Sequence, residues 1–298
     1  MPSNRLHKAT ILAHKSAGRG YYRLVLRVPE AATAALPGQF VMLRVSETLD
    51  PLLARPFGVS SIPSKSSIEI VYRVVGRGTT LLSGMGSGHI LNLLGPLGKG
   101  FPMPDRRMTP VLVAGGSGFP PLYFLSQRAN SRSHLFIGAK NKECLPPSSI
   151  IKSFKETTLK VHIATEDGSM GTSGMTTDIL NEFLTKMEQK THLVFYACGP
   201  HPMLAAVSRI AAEHSIPCYV SMEERMACGL GACMGCSIPM LAGGYKRACK
   251  EGPVFDAREI EWGEQIRLPI PRRKKESNLG ASELKSLNRE GAKDAKGR

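Results

Sequence analysis

A chain of 298 residues, 42% of them hydrophobic, is long enough to bury two cores and carry an appendage. Its formal charge of +15 is unevenly placed: from residue 271 onward nine Lys or Arg stand against four Asp or Glu, and the remaining +10 is spread thinly over the first 270 residues. No basic helix interleaved with aromatics reads nucleic acid, and no apolar run is long enough to span a bilayer, so a soluble protein without nucleic acid as partner is expected.

Residues 1–104 read as short strands between turn residues. Tyr21–Val28 partly alternates, Gln39–Val45 follows a Pro37-Gly38 turn, and Ser67–Val74 alternates cleanly. Such a pattern predicts a small antiparallel barrel. Three of its segments suit a large phosphorylated cofactor. In Arg55-Pro56-Phe57-Gly58 a guanidinium can pair with a pyrophosphate while the ring two residues on lies against a flat heterocycle. Taken alone, that triplet is more often a strand with a core Phe. In Tyr72-Arg73-Val74-Val75-Gly76-Arg77-Gly78-Thr79-Thr80 the two glycines allow close approach to phosphate, and Thr79-Thr80 can begin a helix facing the anion. Gly95-Pro96-Leu97-Gly98-Lys99-Gly100-Phe101 reads as a rigid turn closing the barrel.

Residues 105–222 change character. Apolar strand candidates at Val111–Ala114, Leu135–Gly138, Leu159–Ala164 and Leu193–Ala197 alternate with helix-like stretches, including 173–188 and 201–214. That alternation predicts a doubly wound parallel sheet. Gly115, Gly116 and Gly118 follow the first strand as a nucleotide-type turn, with a helix from Pro120-Pro121 to face a pyrophosphate. The turn lacks the G-x-G-x-x-G fingerprint. Thr165-Glu166-Asp167-Gly168-Ser169 offers partners to a ribose, and Cys198 and Gly199 follow the last strand on the carboxyl edge, where ligands collect. A buried free cysteine is otherwise a small hydrophobe, and His201 reads equally as a surface helix residue. Lys140 and Lys142 leave NAD and NADP undecided.

Residues 223–265 carry Cys228, Cys233, Cys236 and Cys249, spaced C-x4-C-x2-C-x12-C. C-x4-C-x2-C with a distant fourth cysteine is the plant-type ligand pattern of a [2Fe–2S] cluster. Three thiolates from one tightly curled loop need small residues between them, and Gly229, Gly231, Ala232 and Gly235 supply these. Zinc also takes four thiolates, usually from two short-spaced pairs; here there is one C-x2-C, which favours the cluster. Disulfides fit less well, since no apolar signal segment heads the sequence and a reducing cytoplasm is the expected compartment. Residues 266–298 are Lys-, Ser- and Gly-rich and read as a flexible basic tail with a weak helix near 281–288.

Taken together, the chain up to about residue 265 resembles the electron transfer subunits of NAD-linked dihydroorotate dehydrogenase, in the ferredoxin reductase superfamily. The resemblance is carried by Arg55-Pro56-Phe57, Val75-Gly76-Arg77-Gly78-Thr79, Leu94–Gly98, Ala197-Cys198-Gly199-Pro200, Glu224–Cys233 and Cys249–Phe255. It implies FAD on the barrel, with Arg55 on the pyrophosphate, Phe57 by the isoalloxazine, and Gly76, Gly78 and Thr79 at the phosphates. NAD(H) would bind near Gly115, Gly116 and Gly118, with Cys198 and Gly199 beside the nicotinamide. Gly58 stands where a Ser or Thr is usual, and Ala114, Ser117 and Phe119-Pro120 depart from the usual glycine-rich turn.

The resemblance further implies an FMN-binding dihydroorotate dehydrogenase catalytic subunit as partner, in a heterotetramer of two subunit types serving pyrimidine biosynthesis. Nicotinamide gives up two electrons together and a [2Fe–2S] cluster takes one, so a flavin between them converts pairs into single steps. No side chain is then needed as general acid or base. Two alternatives stay open: the reductase subunit of another flavin and iron–sulfur complex, of the anaerobic sulfite reductase or NADPH–ferredoxin reductase type, and a zinc-stabilised nucleic-acid-binding protein.

Overall fold

The first hundred residues pair into one antiparallel sheet, in which β-type burial alternates over parts of the first and last strands and the third and sixth strands are buried for four residues running. The computed structural model describes residues 6–129, 131–155, 159–188 and 190–263; the basic tail and its expected helix near 281–288 lie outside the described residues. Strands β1 (Leu6–Gly18), β2 (Tyr21–Arg27), β3 (Phe40–Arg44), β4 (Arg55–Gly58), β5 (Ser61–Ser64), β6 (Ser67–Arg73) and β7 (Ile90–Leu97) run in the order 4-3-7-1-2-6-5. The sheet curls until β4 lies against β6. Ala9 and Ile11 of β1, Leu24 and Leu26 of β2, and Ile68 and Ile70 of β6 fill the interior. The short helices α1 (Pro29–Ala34) and α2 (Arg77–Ser83) lie on the connections. Helix α2 begins two residues before the expected Thr79, because the Thr79 hydroxyl accepts the N–H groups of Val75 (2.9 Å) and Gly76 (3.1 Å) and draws the chain into a turn early.

After residue 108 the period changes and a second sheet forms. Its elements are β8 (Thr109–Gly115), α3 (Phe119–Ala129), β9 (Ser133–Ala139), α4 (Ser148–Lys155), β10 (Leu159–Thr165), β11 (Thr172–Ser173), α5 (Thr176–Thr185), β12 (Leu193–Cys198), α6 (His201–Glu213) and β13 (Cys218–Ser221). Strand β12 is buried at every position, as a strand covered on both faces must be. Helix α5 is shorter than the stretch 173–188, since Gly174 takes φ +124° just before it and the Asp178 carboxylate caps the Met175 N–H at 2.7 Å.

The chain then makes a hairpin, β14 (Ser237–Pro239) and β15 (Tyr245–Arg247), and ends in β16 (Val254–Asp256). The second sheet runs 11-10-9-8-12-13-16, parallel throughout except for β16, which joins β13 antiparallel. The cysteine segment is thereby stitched into the nucleotide-type sheet. It also reaches the barrel: the Lys99 N–H donates to the Gly252 carbonyl (2.5 Å), and a Cβ at Gly98 (φ +73°) would stand 2.5 Å from that same oxygen. Gly98 is therefore the seat on which the closing segment rests. Strand order reverses at β8, from which the chain winds to β9 on one side and to β12 on the other, and ligands settle at the carboxyl end of such a switch point.

Candidate functional site

The barrel face that meets the second sheet is built around Arg55. A Cβ at Gly78 would lie 2.8 Å from Arg55 Nε, so the guanidinium rests directly on the start of α2 and a larger residue there would push it aside. Two segments more than twenty residues apart in sequence thus converge, and Arg55 also donates to the Leu53 carbonyl. Two places on, the Phe57 ring is buried and meets the Tyr72 ring edge-on at 5.5 Å. The Tyr72 hydroxyl is engaged by His14 Nε2 at 2.9 Å, and burial pushes its pKa up, so it stays protonated.

A cavity of ≈ 420 Å³ opens in front of these residues, walled by Arg55, Pro56, Phe57, Gly58, Tyr72, Arg73 and Thr79 from the barrel and by Gly118, Pro120, Pro121 and Cys198 from the second sheet. A Cβ added at Gly58 would meet only Pro121 Cδ, at 3.7 Å, so the position where a hydroxyl residue was expected has room for one.

A neighbouring cavity of ≈ 530 Å³ lies along the carboxyl edge of the second sheet, lined by Gly115, Gly116, Gly138, Lys140, Glu166 and Thr176 among others. Gly115 and Gly118 are dictated by contact: a Cβ at Gly115 would come 2.5 Å from Pro200 Cδ, and one at Gly118 would run into the Cys198 carbonyl. Gly199 (φ +156°) is pressed against the Gly115 backbone, 2.8 Å from a would-be Cβ. The expected helix start at Pro120-Pro121 falls inside the first turn of α3, where two prolines remove N–H donors, and both wall the first cavity instead. At the second cavity the helix starts are those of α5, with Thr176 and Thr177, and α6, with Pro200 and Pro202. Of the proposed ribose partners only Glu166 reaches this cavity; Thr165 Oγ1 donates to the Met170 carbonyl at 2.9 Å and Asp167 is bound to Ser169.

Val74, Gly76, Gly78, Thr80 and Gly199 line neither cavity. Val74 packs on the barrel core, Thr80 Oγ1 donates to the Gly76 carbonyl (3.1 Å), and the glycines frame their neighbours. The two cavities adjoin, sharing Arg73, Ser117 and Glu223 in their walls. Glu223 and Ser221 were not singled out in the sequence, and Ser117 only as a departure from the usual turn. The signal for Ser221 is register: β12 pairs Cys198 with Ser221. Burial pushes the Cys198 thiol up and the nearby Glu223 adds to the effect, against a hydrogen bond from Ser221. Cys198 therefore faces the cavity as a neutral thiol rather than a nucleophile. Glu223 is exposed by area yet stands in a concave mouth, whose crowding pushes its carboxyl up.

The cysteine segment borders this cleft through Glu223, Glu224, Met226 and Pro253, which line the first cavity. Gly229 (φ +69°) lies on Met42 and Leu97 of the barrel, where a Cβ would come 2.8 Å from Met42 Cγ. Gly231 (φ +79°) and Met234 (φ +58°) give the loop its curl. Backbone N–H groups turn toward sulfur: those of Leu230 (3.4 Å) and Cys233 (3.5 Å) donate to Cys228 Sγ, and that of Cys249 donates to Cys236 Sγ at 3.5 Å. The donors on Cys228, Cys233 first, bring its pKa down to about 6, whereas burial raises that of Cys249 to about 12. None of the four cysteines is in a disulfide. Among the described residues no three of His, Cys, Asp or Glu are gathered as for a single ion. The fit to an iron–sulfur group rests on the loop instead: N–H donors aimed at sulfur and a sequence of small residues are what a negatively charged thiolate centre requires.

An antiparallel barrel joined to a doubly wound sheet, with adjoining cavities and a thiol-bearing loop at the rim, defines an oxidoreductase of the ferredoxin reductase type. Residues 112–209 match the oxidoreductase NAD-binding domain, and residues 223–261 match the iron–sulfur cluster binding domain of dihydroorotate dehydrogenase B. The chain is 36% identical over 266 residues to the dihydroorotate dehydrogenase B (NAD(+)) electron transfer subunit of Desulforamulus reducens, covering 87% of this chain and 99% of that one. The subunit of the same name from Geobacillus sp. (strain WCH70) is 38% identical over 84% of this chain and 96% of its own. Among solved structures, an NADH-dependent reduced ferredoxin–NADP oxidoreductase superposes with a TM-score of 0.73 at 27% identity, covering 86% of this chain and 90% of that one. The chain belongs to the family of dihydroorotate dehydrogenase B (NAD(+)) electron transfer subunits.

Proposed function

We propose that this chain carries electrons between NAD(H) and an FMN-bearing catalytic subunit that oxidises dihydroorotate, in a heterotetramer of two subunit types in the cytoplasm, as a step of pyrimidine biosynthesis. Residues 1–104 hold FAD, 105–222 hold NAD(H), 223–265 hold a [2Fe–2S] cluster through Cys228, Cys233, Cys236 and Cys249, and 266–298 form a basic tail. The observation that carries this reading is the wall shared by the two cavities at Arg73, Ser117 and Glu223, beside the thiol loop that rests on Met42. When bound, the flavin would supply the conversion of a hydride's electron pair into single electrons.

The chain's own residues bind, orient and exclude. Arg55, resting on Gly78, presents a fixed guanidinium for the dinucleotide's pyrophosphate, and Thr79 with the Gly76–Gly78 backbone borders the phosphates. Pro56, Phe57, Pro120 and Pro121 form a dry wall for a flat ring, and Tyr72 backs Phe57. Gly115, Gly116 and Gly118 leave the nicotinamide nucleotide access to the strand ends. Cys198, neutral and hydrogen-bonded to Ser221, borders the place where the two rings meet without adding charge. The name of the relatives, electron transfer subunit, supports a separate catalytic partner. No described helix is long and apolar enough to cross a membrane.

The test is anaerobic purification after co-expression with an FMN-type dihydroorotate dehydrogenase, with flavin, iron, acid-labile sulfide and co-purifying chains quantified. One FAD, two irons and two sulfides per chain, and dihydroorotate-dependent NAD reduction by the pair, are expected. Cofactors present without that coupled activity would reassign the partner to another flavin and iron–sulfur complex; a colourless protein with stoichiometric zinc would overturn the reading.

A further inference from the structure

The loop with three cysteines and the turn with the fourth are joined through one side chain. Arg247, the last residue of β15, donates from Nη1 to the carbonyl of Gly231 at 2.7 Å, and Gly231 lies between Cys228 and Cys233. Its Nε donates to Glu251 Oε2 at 2.9 Å, and Nη2 pairs with Glu251 Oε1 to complete a forked pair. Glu251 Oε2 also accepts the Arg247 backbone N–H at 2.9 Å. The Arg247 carbonyl in turn accepts the N–H groups of Lys250 (3.1 Å), Glu251 (2.9 Å) and Gly252 (3.1 Å), closing the turn that contains Cys249. The two side chains are only 24% and 29% exposed.

An exposed Arg–Glu pair four residues apart contributes little. This one differs in three ways: it is forked, it is partly buried, and it spends a further guanidinium N–H on the backbone of the opposite loop. A lysine has no such fork and could not serve both Glu251 and Gly231 in fixed geometry. The cation stands near enough to Cys249 and Cys236 to interact with their charge, and a fixed positive charge favours the state with one more electron.

We propose that Arg247 is a positioning residue of the iron–sulfur site, clasping the Cys228–Cys236 loop to the Cys249 turn and, balanced by Glu251, setting the field in which the centre takes up its electron. The inference rests on the cluster assignment above. With the groups bound, the centre would take one electron from a reduced flavin, which is oxidised by that electron, and no bond would be made or broken.

The experiment compares the full-length protein with Arg247→Gln, Arg247→Lys and Glu251→Gln, all purified anaerobically. Iron and sulfide content, low-temperature paramagnetic resonance of the dithionite-reduced protein and the midpoint potential from a mediated titration are read for each. Arg247→Gln removes a positive charge and is expected to favour the oxidised centre by about tenfold, a downward shift of about 59 mV for one electron. Glu251→Gln leaves that charge unbalanced and is expected to shift the midpoint upward. Arg247→Lys keeps charge without the fork, so its midpoint stays nearer the parent while its resonance line shape broadens. A side chain that merely stabilised the fold would lower cluster content without moving the potential of what remains.

Parent-like midpoints and spectra in both Arg247→Gln and Glu251→Gln would overturn the proposal, as would shifts of the same sign. If Arg247→Gln purifies without iron, Glu251→Gln decides: an upward midpoint supports the inference, an unmoved one ends it. Parent protein without iron would instead overturn the cluster assignment, and the inference with it.

Discussion

The cleft and the cysteine segment are shaped by different forces. The cleft is set by packing: Gly118 against the Cys198 backbone and Gly199 against the Gly115 backbone are contacts that a single methyl group would spoil, and Arg55 lies on Gly78. The cysteine segment has little regular structure beyond the β14–β15 hairpin and β16, and is held by N–H groups turned to sulfur and by the Arg247–Glu251 clasp. A packed cleft keeps its shape whether or not a ligand is bound, which suits groups that bind and leave. A hydrogen-bonded loop gains most of its order from what its thiolates grip. Changes in one region should therefore leave the other largely intact.

The sharpest separation is expected from Cys233→Ser. It should abolish the cluster and electron exchange with the partner while FAD content and NADH-driven dye reduction persist; loss of flavin as well would mean that the regions are not independent. Gly118→Val probes the other side. Its branched side chain collides with the Cys198 backbone, an overpacking cost of about 1–3 kcal/mol, and should depress NADH-driven dye reduction while iron and sulfide stay at parent levels. Gly58→Ser is its control, since a Cβ there has 3.7 Å of room, and flavin content and melting temperature should not change. Arg55→Ala should weaken FAD retention by about 1.5–3 kcal/mol, the value of a charge-assisted hydrogen bond. Flavin content unaltered after dialysis would remove Arg55 from the pyrophosphate site.

The smallest effect expected is a difference in acid response. His134 and His162 stack on the second sheet with ring nitrogens 3.1 Å apart, and burial lowers the His134 pKa to about 4. A histidine depressed in the folded state contributes stability above its unfolded pKa of about 6.5 that is lost as pH falls toward 4. Glu251, held by Arg247, is depressed to about 2, so its contribution is present above about 4.5 and fades only as pH falls toward 2. Melting temperature should thus begin to fall with the nucleotide-type sheet, and His134→Gln should flatten the slope between pH 6.5 and 4. An unchanged slope would remove the pair from the account.

Much of this layout was legible in the residues themselves. Apolar runs at Val111–Ala114 and Leu193–Ala197 are strands because no other element buries both faces in so few residues. The spacing of the cysteines is local chemistry and could be read directly. What could not be read depends on long-range pairing. Strand β1 carries His7, Lys8, His14 and Lys15 among its apolar residues, so its membership shows only once it pairs with β2 and β7. Glu223 and Ser221 come to the cleft through the register of β12 with β13, and the role of Gly98 depends on a partner about 150 residues away. The prolines at the start of α3 were visible, but their place in the barrel-facing wall follows from how the two sheets meet.

The account's central claim is that cleft and loop form one electron path. The direct measurement is to mix the anaerobic, oxidised chain with NADH alone, freeze it, and record paramagnetic resonance beside the flavin absorbance. The account predicts bleaching of the flavin together with the signal of a reduced two-iron centre, the signal being absent in Cys233→Ser. A bleached flavin with an unreduced centre, at a potential where the centre accepts electrons from dithionite, would contradict it.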